Sequence, residues 1–202
     1  VEAVLTDSSM LVDDDFGFSC YTLVVPLPDE LRRRFSNLER EAGQSRAKIP
    51  AHITVKGTFH RIESPSRIVA IVGDRVGRHG RFFLSFRHAK THWDDERGSG
   101  FLLIHAPAPL RALHDDLVAA LSDEGETVYP DDPYQAHVTI VQEVDAGGLA
   151  VARRMFDSMP IGEGCVVESV DLLGRVGPAY GGRWELIERL PLAGTAPERA
   201  PL

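Results

Sequence analysis

Two short phrases in the chain carry residue types that could do chemistry. "AHITV" places His52 two positions before Thr54, and "AHVTI" repeats the arrangement with His137 and Thr139, 85 residues later. Both lie in runs of β-forming residues, and in a strand residues i and i+2 point to the same side. Each motif therefore presents an imidazole and a hydroxyl on one face. If the two strands meet, two imidazoles and two hydroxyls line one cleft. Such a set suits cleavage of a phosphodiester by water. One group takes a proton from the nucleophile and the other gives one to the leaving oxygen, and histidine serves both ends because its ordinary pKa lies near neutrality. The threonines can donate to non-bridging oxygens where negative charge collects. An imidazolium supplies charge and proton together, so the scheme asks for no metal and no cofactor. With eight His and eight Thr in 202 residues, chance gives roughly 0.3 such triplets. Two, at matching points of a repeated pattern, call for another explanation than a pair of half-buried strand residues.

The elements that must position these residues also repeat. "YTLVVPLP" reads as a strand. "DELRRRFSNLEREAG" reads as a helix, with Leu31, Phe35, Leu38 and Ala42 on one side and Gly43 as the stop. The first motif strand follows. Next comes a helix capped by Ser64 with Pro65 at its first position, and then "RFFLSFRHAKTHW" as one further strand. The order then recurs: strand "GFLLIHAP", helix with Leu110, Leu113, Leu117 and Leu121, second motif strand, helix capped by Asp145. The strands "CVVESVDLLGRV" and "RWELIERLPL" close the chain around the turn "GPAYGG". This predicts an α+β protein with a bilobal duplicated fold. Two pseudo-twofold-related lobes of antiparallel sheet, with outer helices, surround a central cleft. The expected boundaries are a tail over 1–17, one bilobal domain over 18–191 with halves at about 18–97 and 98–191, and a tail over 192–202.

Composition narrows the partners. The net charge of −8 disfavours a broad footprint on duplex nucleic acid, whose binding depends on Lys and Arg displacing counterions. No apolar stretch is long enough to span a bilayer, so no membrane partner is expected. Two cysteines, Cys20 and Cys165, lack metal-ligand spacing and read as buried free thiols, which favours a cytoplasmic address. His88 and His92 have helical metal-ligand spacing in a run that reads as a strand, so they are assigned to the surface. Lys56 shares the face of His52 by strand parity and is a candidate to add charge to a bound phosphate. Tyr134, in the polar stretch "DDPYQ", is a candidate to stack a base, whereas Phe59 and Tyr21 are assigned to the core. Tyr180, in the Gly-rich turn, is a lesser candidate to close over a ligand.

The motifs "HITV" and "HVTI", their spacing and the duplicated order resemble the 2H phosphoesterase superfamily, within its LigT-like or 2′-5′ RNA ligase group. The resemblance covers about residues 18–190. It implies a histidine pair in a central groove and opening of a cyclic nucleotide phosphate, such as a 2′,3′-cyclic phosphate on a nucleotide or RNA end, without metal. By motif, His52 and His137 become the acid/base pair, with His137 as base toward water and His52 as acid toward the leaving ribose oxygen. Thr54 and Thr139 become the phosphate ligands. Members of this group often carry Arg where Gln142 stands here; glutamine can hydrogen-bond a phosphate but brings no charge. The expected partner is a small cyclic nucleotide or RNA terminus, and the expected state a monomer. The rival expectations are a non-catalytic nucleotide or phosphate binder using the same cleft, and a 2′-5′ RNA ligase.

Overall fold

The computed structural model describes residues 17–44, 49–60, 64–122, 133–177 and 182–194. Tyr180 lies outside these residues. In chain order the elements are β1 (Phe18–Pro26), α1 (Asp29–Glu41), β2 (His52–Phe59), α2 (Pro65–Val76), β3 (Phe82–Ser85) and β4 (Lys90–Asp94). After them come β5 (Ser99–Leu103), α3 (Ala108–Ser122), β6 (His137–Val141), α4 (Ala146–Ser158), β7 (Gly164–Val167), β8 (Ser169–Val176) and β9 (Arg183–Pro191).

The helices form where apolar spacing and caps agree. The Ser64 hydroxyl accepts from the Arg67 N–H and Pro65 opens α2, while the Asp145 carboxylate accepts from the Gly148 N–H at the start of α4. Leu31, Phe35 and Leu38 of α1 and Leu110, Leu113, Leu117 and Leu121 of α3 are all buried, one stripe per helix. Gly43, with φ of +76°, ends the first stripe in a conformation that favours glycine.

Three antiparallel sheets result, ordered β2-β1-β8-β9, β4-β5-β6 and β3-β7. Matching the repeat element by element pairs β1 with β5, α1 with α3, β2 with β6, α2 with α4, β3 with β7 and β4 with β8. The sheets obey this matching: β2-β1-β8 corresponds to β6-β5-β4, and β3 pairs with its own counterpart β7, as an element on a twofold axis must. Each half thus sends one matched strand, β4 or β8, into the other half's sheet. The helices follow suit. α2 and α3 pack together over the four-stranded sheet, and α1 and α4 pack together against β6 of the three-stranded one. β9 has no counterpart.

Two expected strands are in fact four. The run 81–93 breaks after Ser85, where Ala89 donates to the Phe86 carbonyl in a turn, and β3 and β4 enter different sheets. The run 165–176 breaks at Glu168, so that β7 and β8 also part. Past β9 the chain stays docked through Gly194: Leu192 is buried, and Ala193 donates to the His79 carbonyl. Cys20 and Cys165 are buried and free, and burial pushes the Cys165 thiol up to about 11.

Candidate active site

β2 and β6 are edge strands of their sheets and lie against each other near the pseudo-twofold axis. Their surroundings match bond by bond. His52 is registered opposite Pro26 and His137 opposite Leu103; Thr54 is opposite Val24 and Thr139 opposite Phe101. The next residue on each partner strand closes the ladder in the same way, Leu27 N–H to the Ala51 carbonyl at 3.3 Å and Ile104 N–H to the Ala136 carbonyl at 2.9 Å.

The equivalence extends to the imidazoles. His52 Nδ1 lies 3.0 Å from the Pro50 carbonyl, and His137 Nδ1 lies 2.9 Å from the Gln135 carbonyl. A carbonyl can only accept, so Nδ1 is the protonated nitrogen in both rings, and a neutral ring then carries its lone pair on Nε2. Both histidines line one cleft of about 630 Å³, together with Thr54, Tyr134 and Gln135. Apolar and small residues make up most of the remaining wall: Ile49, Val55, Gly57, Phe101, Leu103, Pro133 and Trp184, with Thr22 and Thr58. Phe101 meets the His137 ring edge-to-face at 5.6 Å between centroids, which fixes the plane of that imidazole.

Thr139 stands on the same face of β6 as His137 and is half buried, but it is not among the residues that line the cleft. Lys56 does not reach the cleft. A bulge in β2 sets Val24 opposite Thr54 but Leu23 opposite Lys56, so Val55 is an extra residue and the parity reverses. Lys56 is 1% exposed and its ammonium lies over the Phe59 ring, 5.7 Å from the centroid. Thr22 Oγ1 donates to the Lys56 carbonyl at 3.0 Å, holding the bulge. Gln142 is exposed at the end of β6 and outside the cleft lining; its backbone N–H donates to Gln44 Oε1 at 2.8 Å. Phe59 and Tyr21 are core residues, each 1% exposed.

Tyr134 lines the cleft, but its hydroxyl and one ring face are already engaged. The hydroxyl donates to the Thr54 carbonyl at 3.0 Å, and the ring stacks on His114 at 3.9 Å and 11°. His114, buried in α3, in turn donates from Nδ1 to the Val55 carbonyl at 2.6 Å. Two neighbouring carbonyls of an open sheet edge are thereby held by side chains from the second half of the chain. Burial pushes the Tyr134 phenol well above its ordinary value. The corresponding positions in the first half are Ile49, three residues before its motif histidine, and Phe35, four residues after Leu31 as His114 is after Leu110. The duplicated site is thus polar on one side of the axis and apolar on the other.

Trp184 was not legible as a site residue. It enters from β9, with the Arg175 guanidinium 5.6 Å from its ring centroid. The strand without a counterpart therefore supplies a tryptophan to the cleft wall. Phe101 was within reach of sequence reasoning, because the strand ahead of each motif strand is its antiparallel neighbour. No group of three or more His, Cys, Asp or Glu placed to hold a metal ion occurs among the described residues. No helix among them is long and apolar enough to cross a membrane.

A family model for the 2′-5′ RNA ligase superfamily matches residues 27–178, and the chain belongs to that superfamily. No curated protein matches the sequence. Among solved structures, the fold is similar to E. coli LigT complexed with 3′-AMP (TM-score 0.55, 15% identity, covering 86% of this chain and 98% of that one). It is also similar to a phosphoesterase (TM-score 0.60, 14% identity, 87% and 99%) and to TT0787 of Thermus thermophilus (TM-score 0.56, 20% identity, 85% and 97%). At these identities the likeness speaks to the fold, and it agrees with the duplicated α+β arrangement.

Proposed function

We propose that this chain is a metal-independent phosphoesterase that hydrolyses a cyclic phosphodiester, a 2′,3′-cyclic nucleotide or RNA end, by paired-histidine acid/base catalysis. The observation that supports the reading is the matched Nδ1-to-carbonyl hydrogen bond on His52 and His137, two rings of one cleft, a tautomer that suits Nε2 of each to proton transfer. One imidazole accepts the proton of water as oxygen attacks phosphorus. The other, protonated, gives its proton to the departing ribose oxygen, so the ring phosphodiester becomes a monoester and an alcohol. Thr54 and Thr139 donate to the non-bridging oxygens. We assign His137 as base and His52 as acid. Tyr134 presents a wall for the nucleoside, and the address is cytoplasmic.

The experiment is hydrolysis of the four 2′,3′-cyclic mononucleotides and of a cyclic-ended oligonucleotide in EDTA, with products resolved as 2′- or 3′-monophosphates. Turnover is expected, with His52→Ala and His137→Ala each lowering kcat by roughly 10²- to 10⁴-fold while the fold is retained. Binding without turnover would favour a nucleotide binder, and joining of 2′-5′ linkages without hydrolysis would favour a ligase.

A further inference from the structure

The face of the three-stranded sheet that carries His137 does not stop at the cleft wall. Antiparallel partners project side chains to the same side. Two registered rows can therefore be followed across it: Lys90–Leu103–His137 and His92–Phe101–Thr139. The rings corroborate the second row, since His92 stacks on Phe101 at 6.4 Å and 19°, and Phe101 meets His137 edge-to-face. Lys90 and His92 are exposed on the edge strand β4. Asp94 shares their face further along, where its carboxylate accepts the Arg97 N–H at 2.9 Å. Among the described residues no carboxylate lies within ion-pair distance of Lys90.

Two strand spacings separate the Lys90 and His137 backbones, about 10 Å. A lysine side chain spans much of that distance. The pseudo-equivalent position to His92 on the other sheet is Asp171, which pairs with Val24 as His92 pairs with Phe101. Asp171 is closed off by two hydrogen bonds from Arg189, at 2.7 and 2.9 Å. The exposed histidine of this row thus has no counterpart across the axis, where the matching position is a carboxylate tied to Arg189.

We propose that Lys90 and His92 form a second phosphate subsite, so that the preferred substrate carries a phosphate in addition to the cyclic one. This deepens the phosphoesterase reading and rests on it. Hydrolysis at the motif histidines needs only the cyclic phosphate; the second group is held one nucleotide unit away, by charge from Lys90 and a ring N–H from His92. Either a 5′-phosphate on the same nucleoside or the preceding internucleotide phosphate of an oligonucleotide offers that chemistry.

The test compares kcat/KM for three substrates: a nucleoside 2′,3′-cyclic phosphate, the same compound bearing a 5′-phosphate, and a dinucleotide ending in the cyclic phosphate. Wild type, Lys90→Gln and His92→Asn are assayed at low and high salt. At least one doubly phosphorylated substrate is expected to exceed the first by roughly tenfold in wild type, the scale of one charge-assisted contact. The ratio should fall toward one in Lys90→Gln and at high salt. Which substrate shows the gain identifies the source of the phosphate. Equal kcat/KM for all three, or a ratio that survives Lys90→Gln, overturns the proposal. If no cyclic phosphate is turned over, the phosphoesterase reading falls instead. Calorimetric binding of a nucleoside 3′,5′-bisphosphate against the 3′-monophosphate then reads the subsite directly. A gain of roughly tenfold that Lys90→Gln removes supports it, and equal binding overturns it.

Discussion

Replacing Tyr134 by phenylalanine removes one oxygen and leaves the ring on His114. The lost hydroxyl donates to the Thr54 carbonyl at 3.0 Å, on a strand edge that no other strand covers. Leaving a half-buried carbonyl without its donor costs about 1–2 kcal/mol, the lower part of the range for a stranded polar group. For a chain of 202 residues that corresponds to a fall in Tm of roughly 2–8 °C. The pH dependence sharpens the test. Burial raises the folded-state pKa of this phenol above its ordinary value of 10.0, so its contribution to stability is complete below pH 10 and is lost as pH climbs through the folded value. The wild type should therefore lose stability in alkali faster than Tyr134→Phe, and the gap between the two should narrow above about pH 10. Calorimetric or denaturant melts at pH 7, 9 and 10.5 read both effects. A Tm unchanged at pH 7, or parallel alkaline losses, would refute the role given to the hydroxyl.

Other outcomes follow from the same geometry. If the site is the phosphoesterase proposed above, kcat/KM is expected to be bell-shaped in pH, because one imidazole must be neutral while the other holds a proton; a single-limbed profile would exclude a two-histidine mechanism. Trp184→Ala should raise KM for a nucleoside cyclic phosphate by roughly tenfold, the scale of one base–aromatic stack, with kcat little changed. Steady-state kinetics showing the loss in kcat instead would take Trp184 off the base. Cys20 and Cys165 should resist a thiol reagent at pH 8 in the native protein and react stoichiometrically in urea, since both are buried and burial raises both thiol pKa values. His114→Phe, which copies the Phe35 of the other half, strands the Val55 carbonyl and should cost about 1–3 kcal/mol in equilibrium unfolding.

The local rules of the chain were readable. Helix stripes, the Ser64 and Asp145 caps and the two motif strands lie where apolar spacing and capping chemistry place them. What periodicity does not encode is which sheet a strand joins. A run such as 81–93 looks continuous whether it stays in one sheet or breaks after Ser85 to enter two. Lys56 shows a second limit. Strand parity is reliable only while the ladder is regular, and one inserted residue at Val55 moves the ammonium from the cleft to the core. That His52, Thr54 and His137 come to line one cleft was foreshadowed because two copies of one phrase are rare. Trp184 was not, because it belongs to the one strand the duplication does not repeat.

The crossing of β4 and β8 between the halves also bears on how the chain comes to be folded. Val24 is registered with Asp171, 147 residues away, so the four-stranded sheet cannot close until β8 has left the ribosome. Pairings of such long sequence separation carry a large loop-closure cost and predict slow folding for a protein of this size. The first half released alone would expose the bare edge of β1, which is a template for association with another chain. Neither copy of the repeat can therefore be a folding unit by itself.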